Sequence, residues 1–371
     1  MYCIPAHCMS RQRYLLLAAV IFFELITSGC ASRSNGAGKK IPLVVFGAGS
    51  LIIPFNDLEK AFEAKYPNID VQAQYHGSIQ VIRHATELHE PIDVVATADA
   101  SLVPMLMYQT IDPDTGIPYA DWYIKFGTNH LAIAYQEKSK YISELNVENW
   151  FEVLSRPDVK VGLADPRFDA VGYRALMVYA LAQEYYSQPT IFTNMFKGQF
   201  SFPLGIFTED GFTVVTVPEI LETKTGSHIV LRGASVELIA LLESGDLDYA
   251  FEYESVIQQH NLSILRLPGE LNLGEVSQNE FYGTVEVDED FQRFQTVKPV
   301  FRGEQIGYGI TIPSNAPHPE QAAIFIAFLL GPEGRAIMQG DSQPTFDPAI
   351  GIDYQSIPAG LQQFCIPEET P

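Results

Sequence analysis

The stretch FGAGSLIIPF, residues 46–55, joins an apolar run to an amphipathic one. The run before it, residues 41–46, is continuously apolar and predicts a buried strand. After it, apolar residues from Leu51 to Phe62 recur at helical spacing. The glycines and serine between the two runs therefore predict a tight strand-to-helix turn, with Ser50 at the start of the helix.

Such a turn has several interpretations. A dinucleotide-binding loop needs a third glycine where Ile52 stands. A nucleophile elbow needs glycines two residues before and after the serine, at the positions of Ala48 and Ile52. A third interpretation is an anion-binding helix N-terminus, in which Ser50 caps the helix and free N–H groups face negative charge. A fourth is a helix cap with no function.

Composition narrows the class of protein. The chain has 371 residues, which favours two domains over one, and its formal net charge is −22. A nucleic-acid-binding protein normally presents a basic face, and the sequence contains no lysine or arginine cluster. We therefore expect no nucleic-acid partner.

The N-terminus has the features of an export signal, predicted over residues 1–29. Arg11 precedes an apolar run at 14–26, which is too short to span a membrane as a helix. Small residues directly before Cys30 resemble a lipoprotein signal, and the alternative is an ordinary signal peptide with a chance cysteine. The small, polar stretch 30–40 predicts a flexible tether. The expected location is the outer face of the cell membrane, with a lipid anchor at Cys30.

Beyond the tether, strands and helices alternate. Apolar or alternating runs at 41–46, 70–75 and 92–98 predict strands separated by helices, the pattern of a sheet covered by helices. A second set of the same kind starts near residue 159. The pattern is weaker over 192–234, and 268–300 predicts mainly loops. The fold class expected is α/β, with each half a mixed sheet flanked by helices.

The two sets predict two lobes joined by two crossover strands. The first lobe is predicted from 41–127 and 312–371, and the second from 128–311. One strand near 126–135 would lead out of the first lobe, and another near 306–313 would lead back. A cleft between the lobes follows from this threading.

Four predicted helices start directly after predicted strands, at Ser50, Ser78, Val171 and Ser235. The carboxyl ends of strands in open α/β sheets are where ligands bind. A helix N-terminus offers unpaired N–H groups and about half a positive charge. The four turns together therefore predict an anion site in a strongly acidic protein.

Acidic residues also alternate around one predicted strand, at Asp246, Asp248, Glu252 and Glu254. A calcium loop needs a different spacing with a central glycine. We therefore interpret these residues as a solvated strand edge.

With these turns placed, the chain resembles the tungstate/molybdate-binding lipoproteins of archaeal ABC importers over roughly residues 41–345. The resemblance implies the two-lobed type II periplasmic-binding-protein fold, a monomer without enzymatic activity or cofactor, and delivery of the oxyanion to a membrane permease driven by a cytoplasmic ATPase. The stretches that carry it are FGAGSLIIPF, HGSIQVIRHATELHEPIDVVATAD, WYIKFGTNHLAIAYQEKSKY, WFEVLSRPDVKVG, DAVGYRALMVYALAQEYY, ESGDLDYAFEYESVIQQHNL and LNLG…FYG.

The resemblance also implies roles for individual residues. Ser50 and Ser78 would donate hydroxyl and backbone hydrogen bonds from the first lobe. Val171 would donate its backbone N–H, and Tyr253 its phenol, from the second. Asp169 matches an aspartate that contacts the metal atom of the oxyanion.

One position departs from the family. Ser235 stands where the family usually has a glutamate, so it would bind as a hydroxyl donor or leave Asp169 as the only extra ligand. Tungsten(VI) and molybdenum(VI) can accept further oxygen ligands, whereas sulfur(VI) and phosphorus(V) cannot. A buried carboxylate facing the anion therefore disfavours sulfate, for which it is only repulsive.

Two alternative functions stay open at this point. The chain could be an extracellular hydrolase with Ser50 or Ser78 as nucleophile, although His76 is the only histidine near these turns. It could also be a receptor of the same fold for sulfate, phosphate or an organic acid.

Overall fold

A seven-stranded mixed sheet contains the strand predicted before FGAGSLIIPF. In the computed structural model, residues 39–289 and 300–368 are described, and the chain divides into residues 1–41 and 42–371. The predicted signal peptide, the predicted lipidation site Cys30 and the predicted tether up to residue 38 lie outside the described residues.

The strands alternate with short and medium helices. The strands are β1 (Ile41–Ala48), β2 (Ile69–His76), β3 (Val94–Thr97), β4 (Tyr123–Thr128), β5 (Leu131–Tyr135), β6 (Val161–Ala164), β7 (Gly205–Glu209), β8 (Phe212–Val217), β9 (Ile229–Arg232), β10 (Tyr249–Tyr253), β11 (Ser263–Arg266), β12 (Val285–Glu289), β13 (Val300–Arg302), β14 (Gly307–Thr311), β15 (Thr345–Ile352) and β16 (Cys365–Pro367). The helices are α1 (Ile52–Lys65), α2 (Ser78–Thr86), α3 (Trp150–Leu154), α4 (Ala170–Tyr185), α5 (Ile191–Phe196), α6 (Val236–Ser244), α7 (Glu254–Gln259), α8 (Asn279–Tyr282), α9 (Pro319–Leu330), α10 (Pro332–Gly340) and α11 (Ala359–Gln362).

The first sheet has the order β16-β15-β4-β14-β3-β1-β2. β1 pairs with β3 in parallel, with Val45 opposite Val94, and both strands are buried. Strands covered on both faces must be apolar throughout, which explains the continuous apolar run that predicted β1.

The second sheet has the order β11-β5-β10-β6-β9. β6 lies parallel to both β9 and β10, and β10 is antiparallel to β5. α4 is buried from Ala170 to Ala182, since it packs in the core rather than at the surface. The mixed α/β class predicted from the sequence is confirmed.

A third sheet, β13-β12-β8-β7, was not predicted. The expectation of loops across 268–300 is wrong for Val285–Glu289, which forms β12 and pairs in parallel with β8. Within β12, Val285 and Val287 are buried in the core while Glu286 and Asp288 are half-buried. The alternation of these valines with acidic residues is itself a strand signal, which the expectation of loops overlooked.

The chain passes from the first sheet to the second between Thr128 and Leu131, and returns between Arg302 and Gly307. The single strand expected near 126–135 is therefore two strands, because Asn129 and His130 interrupt it. β14 pairs with β3 and β4, so by sheet membership the return precedes residue 312.

No single helix within 39–289 and 300–368 is long and apolar enough to cross a membrane. The bent pair α9 and α10 meets this criterion only jointly, at an angle of 63°, and by length and composition alone. Phe325, Ile326 and Met338 of this pair are buried in the core.

Candidate functional site

The turn after β1 holds Ser50 at 4% exposure. Gly49–Leu51 forms a short 3-10 turn, and α1 starts only at Ile52. The expectation that Ser50 caps the helix is wrong, because its hydroxyl shares a hydrogen bond of 2.9 Å with the Tyr308 hydroxyl. A Cβ on Gly49 would lie 2.9 Å from a Val236 methyl, so this turn touches the start of α6 in the second sheet's half.

The turn after β2 meets the second half even more closely. Ser78 starts α2, is buried, and its Oγ accepts the Ala98 N–H at 3.0 Å. The Ile79 N–H donates to the Phe168 carbonyl at 3.2 Å. A Cβ on Gly77 would lie 2.3 Å from that same carbonyl oxygen, so only glycine permits this approach.

Asp169 joins two of the predicted turns. It caps α4, with Oδ1 accepting the Val171 N–H at 2.8 Å, and its Oδ2 accepts the Ser235 N–H at 3.1 Å. The structure therefore brings Asp169, Val171 and Ser235 together, and the Val171 N–H already has a partner. Burial raises the pKa of Asp169 to about 6, and the two N–H donors act in the opposite direction.

Tyr253 ends β10 and is buried, as expected of a site residue. Its hydroxyl accepts a hydrogen bond from Arg174, which lies on α4 and is 3% exposed. Arg174 also donates to the Ala98 carbonyl at 2.7 Å and pairs with Asp99 Oδ2 at 3.3 Å. A buried guanidinium thus stands among the predicted ligand residues.

Sequence reasoning missed both members of this ion pair. The available signal was that Arg174 is the only charged residue in the buried part of α4. A charge is rarely buried without a partner or a function.

The prediction that the acidic residues around β10 form a solvated strand edge is wrong for Glu252. Glu252 is fully buried, whereas Asp246 is exposed and Asp248 and Glu254 are half-buried. Its Oε1 accepts the Tyr253 N–H at 2.7 Å, and its Oε2 has no hydrogen-bond partner. Burial, reinforced by the negative charge of Asp169, raises the pKa of Glu252 to about 8.

Residues 43–341 match the family described as bacterial extracellular solute-binding proteins. The chain belongs to this family. The chain is 37% identical to the molybdate/tungstate-binding protein WtpA of Thermococcus kodakarensis, over 92% of this chain and 94% of the relative. It is 36% identical to an uncharacterised solute-binding protein of Petrotoga mobilis, over 87% of this chain and 89% of the relative.

Solved structures share the fold of this solute-binding protein. The periplasmic molybdate-binding protein of Azotobacter vinelandii aligns with a TM-score of 0.50 and 14% identity, over 81% of this chain and 98% of that one. The sulfate-binding protein SubI of Mycobacterium tuberculosis aligns with a TM-score of 0.52 and 13% identity, over 88% of this chain and 92% of that one. At these identities the likeness concerns the fold, and the predicted type II periplasmic-binding-protein fold is confirmed.

A buried hydrogen-bond network links the site of this solute-binding protein to its crossover. Tyr308, the partner of Ser50, accepts a hydrogen bond of 3.2 Å from the Asn129 amide. Asn129 lies between β4 and β5 and also donates to Ser255 at 2.7 Å. Gln343 accepts from Ser255 at 3.3 Å. The polar groups at the first crossover are thus connected directly to the turn after β1.

Within the described residues, neither Ser50 nor Ser78 is hydrogen-bonded to a histidine or carboxylate that could act as a base. The hydroxyls of Ser50 and Ser78 meet Tyr308 and the Ala98 N–H, respectively. The His76 ring instead stacks on His84, with centroids 4.6 Å apart. Across the described residues, no group of three or more histidine, cysteine or acidic side chains could hold a metal ion.

Proposed function

We propose that this solute-binding protein captures tungstate or molybdate between its two sheets and delivers it to an ABC import permease. The observation that carries the proposal is the buried guanidinium of Arg174, which contacts Ala98 and Asp99 after β3 of the first sheet and Tyr253 at the end of β10 of the second. The 37% identity to a molybdate/tungstate-binding protein over nearly the whole chain supports the choice of ligand.

Each group has a role that its chemistry suits. Ser50, Ser78 and Tyr253 would donate hydroxyl hydrogen bonds to the anion. The N–H groups of Val171 and Ser235, which donate to Asp169 in this structure, would become further donors once Asp169 releases them. Arg174, which is paired with Asp99, would place positive charge near the dianion. Asp169 would approach the tungsten or molybdenum atom, which can accept an extra oxygen ligand.

The cellular setting completes the proposal. A lipid anchor at Cys30 would hold the monomer at the outer face of the membrane, beside the permease and its cytoplasmic ATPase. Closure of the two halves on the ligand would then create the form that docks.

Calorimetric titration of the anion-stripped mature chain with tungstate, molybdate, sulfate and phosphate tests the function. We expect tight one-to-one binding of tungstate and molybdate, with sulfate and phosphate much weaker. A preference for sulfate or phosphate would contradict the proposed ligand, and no binding of any of the four would leave only the fold assignment.

A further inference from the structure

Glu252 presents a fully buried carboxyl oxygen, Oε2, that has no hydrogen-bond partner and lies near Asp169. Its side chain is 0% exposed, so water does not solvate Oε2 in place of a protein donor. A buried carboxyl oxygen without a partner loses its hydration and gains nothing in return. Such an atom at the carboxyl end of a strand indicates a contact that forms when a ligand is bound.

Asp169, in contrast, has no carboxyl oxygen without a hydrogen-bond partner. Both of its oxygens accept backbone N–H groups, from Val171 and Ser235. Turning this carboxylate toward a ligand breaks the cap of α4 or the contact with α6. Glu252 can use Oε2 while Oε1 keeps its bond to the Tyr253 N–H.

We propose that Glu252 contacts the central atom of the bound oxyanion through Oε2. This inference rests on the proposed tungstate or molybdate function and adds a ligand group to it. Oε2 donates a lone pair to the metal centre, no bond of the anion breaks, and any proton held by the carboxyl leaves to solvent. Sulfur and phosphorus centres cannot accept this pair, so Glu252 favours tungstate and molybdate over sulfate.

Ser235 lies beside this carboxyl. It is buried at the start of α6, close to Glu252. The positive charge of Arg174 lies among the same group of side chains, bonded to the adjacent Tyr253. The site thus combines a carboxyl oxygen for the central atom with hydroxyl and guanidinium groups for the outer oxygens.

The test compares Glu252→Gln with Glu184→Gln, a control that removes the same charge from an exposed position at the opposite end of α4 from Asp169. Titrations measure the dissociation constants for tungstate and sulfate, and X-ray absorption at the tungsten edge measures the number of oxygen neighbours. We expect Glu252→Gln to weaken tungstate at least tenfold, change sulfate less than twofold, and remove one oxygen neighbour. Glu184→Gln should leave all three values unchanged.

Two results would overturn the inference. One is an unchanged tungsten coordination number in Glu252→Gln, and the other is an equal loss of affinity for tungstate and sulfate. Thermal unfolding of both variants separates a folding defect from a binding one, and Glu252→Asp, which keeps the carboxylate, should partly restore tungstate binding. If the unaltered protein binds sulfate but not tungstate, the proposed function itself fails.

Discussion

Arg174 and Asp99 form a buried ion pair between the two halves of the protein, with Nη2 and Oδ2 3.3 Å apart. Arg174 belongs to α4 beside the second sheet, and Asp99 follows β3 of the first sheet. Tyr173 also donates its hydroxyl to Asp99. The pair therefore connects the two halves at the predicted ligand site itself.

Replacing Asp99 by asparagine should loosen this connection. Breaking a buried ion pair typically costs about 3–5 kcal/mol, because the remaining charge stays buried. We expect tungstate to dissociate at least tenfold faster from Asp99→Asn, measured by stopped-flow displacement. Asp158→Asn is the matched control, since Asp158 is exposed and its ion pair with Lys140 lies at the surface. Equal dissociation rates in the two variants would show that the buried pair does not hold the halves together.

Replacing Gly77 by alanine should push the two halves apart. The added methyl would lie 2.3 Å from the Phe168 carbonyl oxygen, and backbone cannot move aside as a flexible side chain can. Overpacking of this kind costs roughly 1–3 kcal/mol. We expect a tenfold or greater loss of tungstate affinity by calorimetry. Gly340→Ala is the control, because its added methyl would meet no atom within 4 Å, and this variant should bind tungstate like the unaltered protein. Unchanged tungstate affinity in Gly77→Ala would contradict the proposed effect of this contact.

Removing the Tyr308 hydroxyl tests the network between the site and the crossover. Tyr308→Phe deprives Ser50 and Asn129 of a buried partner, which costs about 1–3 kcal/mol. Chemical denaturation should detect this loss, and tungstate affinity should fall several-fold. Tyr75→Phe serves as control, because its hydroxyl makes a long, exposed 3.4 Å contact with Asn56. A stable Tyr308→Phe variant with full affinity would refute the network's role.

The pH dependence of stability should show the buried Glu252. Its pKa is raised to about 8 in the folded protein, against roughly 4.3 for an unfolded glutamate. Between these values the folded state binds more protons than the unfolded state, so the free energy of unfolding falls as pH rises. One such group contributes about 1.4 kcal/mol per pH unit within this window. Denaturation of the ligand-free protein from pH 5 to 8 should show a steeper fall than Glu252→Gln, and parallel curves would contradict the shift.

Much of the fold was accessible from local sequence patterns, because buried parallel strands and the turns after them have strong signals. The turns at Ser50 and Ser78 were located from the glycine and serine residues between strand-like and helix-like runs. The structure also brings Asp169, Val171 and Ser235 together. Whether these residues bind the oxyanion stays a prediction.

The rest depended on contacts between distant parts of the chain. Arg174 is tolerated in an apolar helix only because Asp99 and Ala98 lie opposite it. Glu252 looked like one of several surface acids because alternation along a strand does not indicate which face is covered. β12 was missed although Val285 and Val287 alternate with acidic residues, but its parallel pairing with the remote strand β8 has no local signal.

The contacts of Gly49 with Val236 and of Gly77 with the Phe168 carbonyl have a kinetic consequence. With the turns touching at both places, an ion between the halves can exchange with the surroundings only when they separate. Its escape would then follow a single first-order rate, whatever the concentration of a rival anion outside. Abundant sulfate could occupy an emptied receptor, but could not hasten the departure of an ion already enclosed.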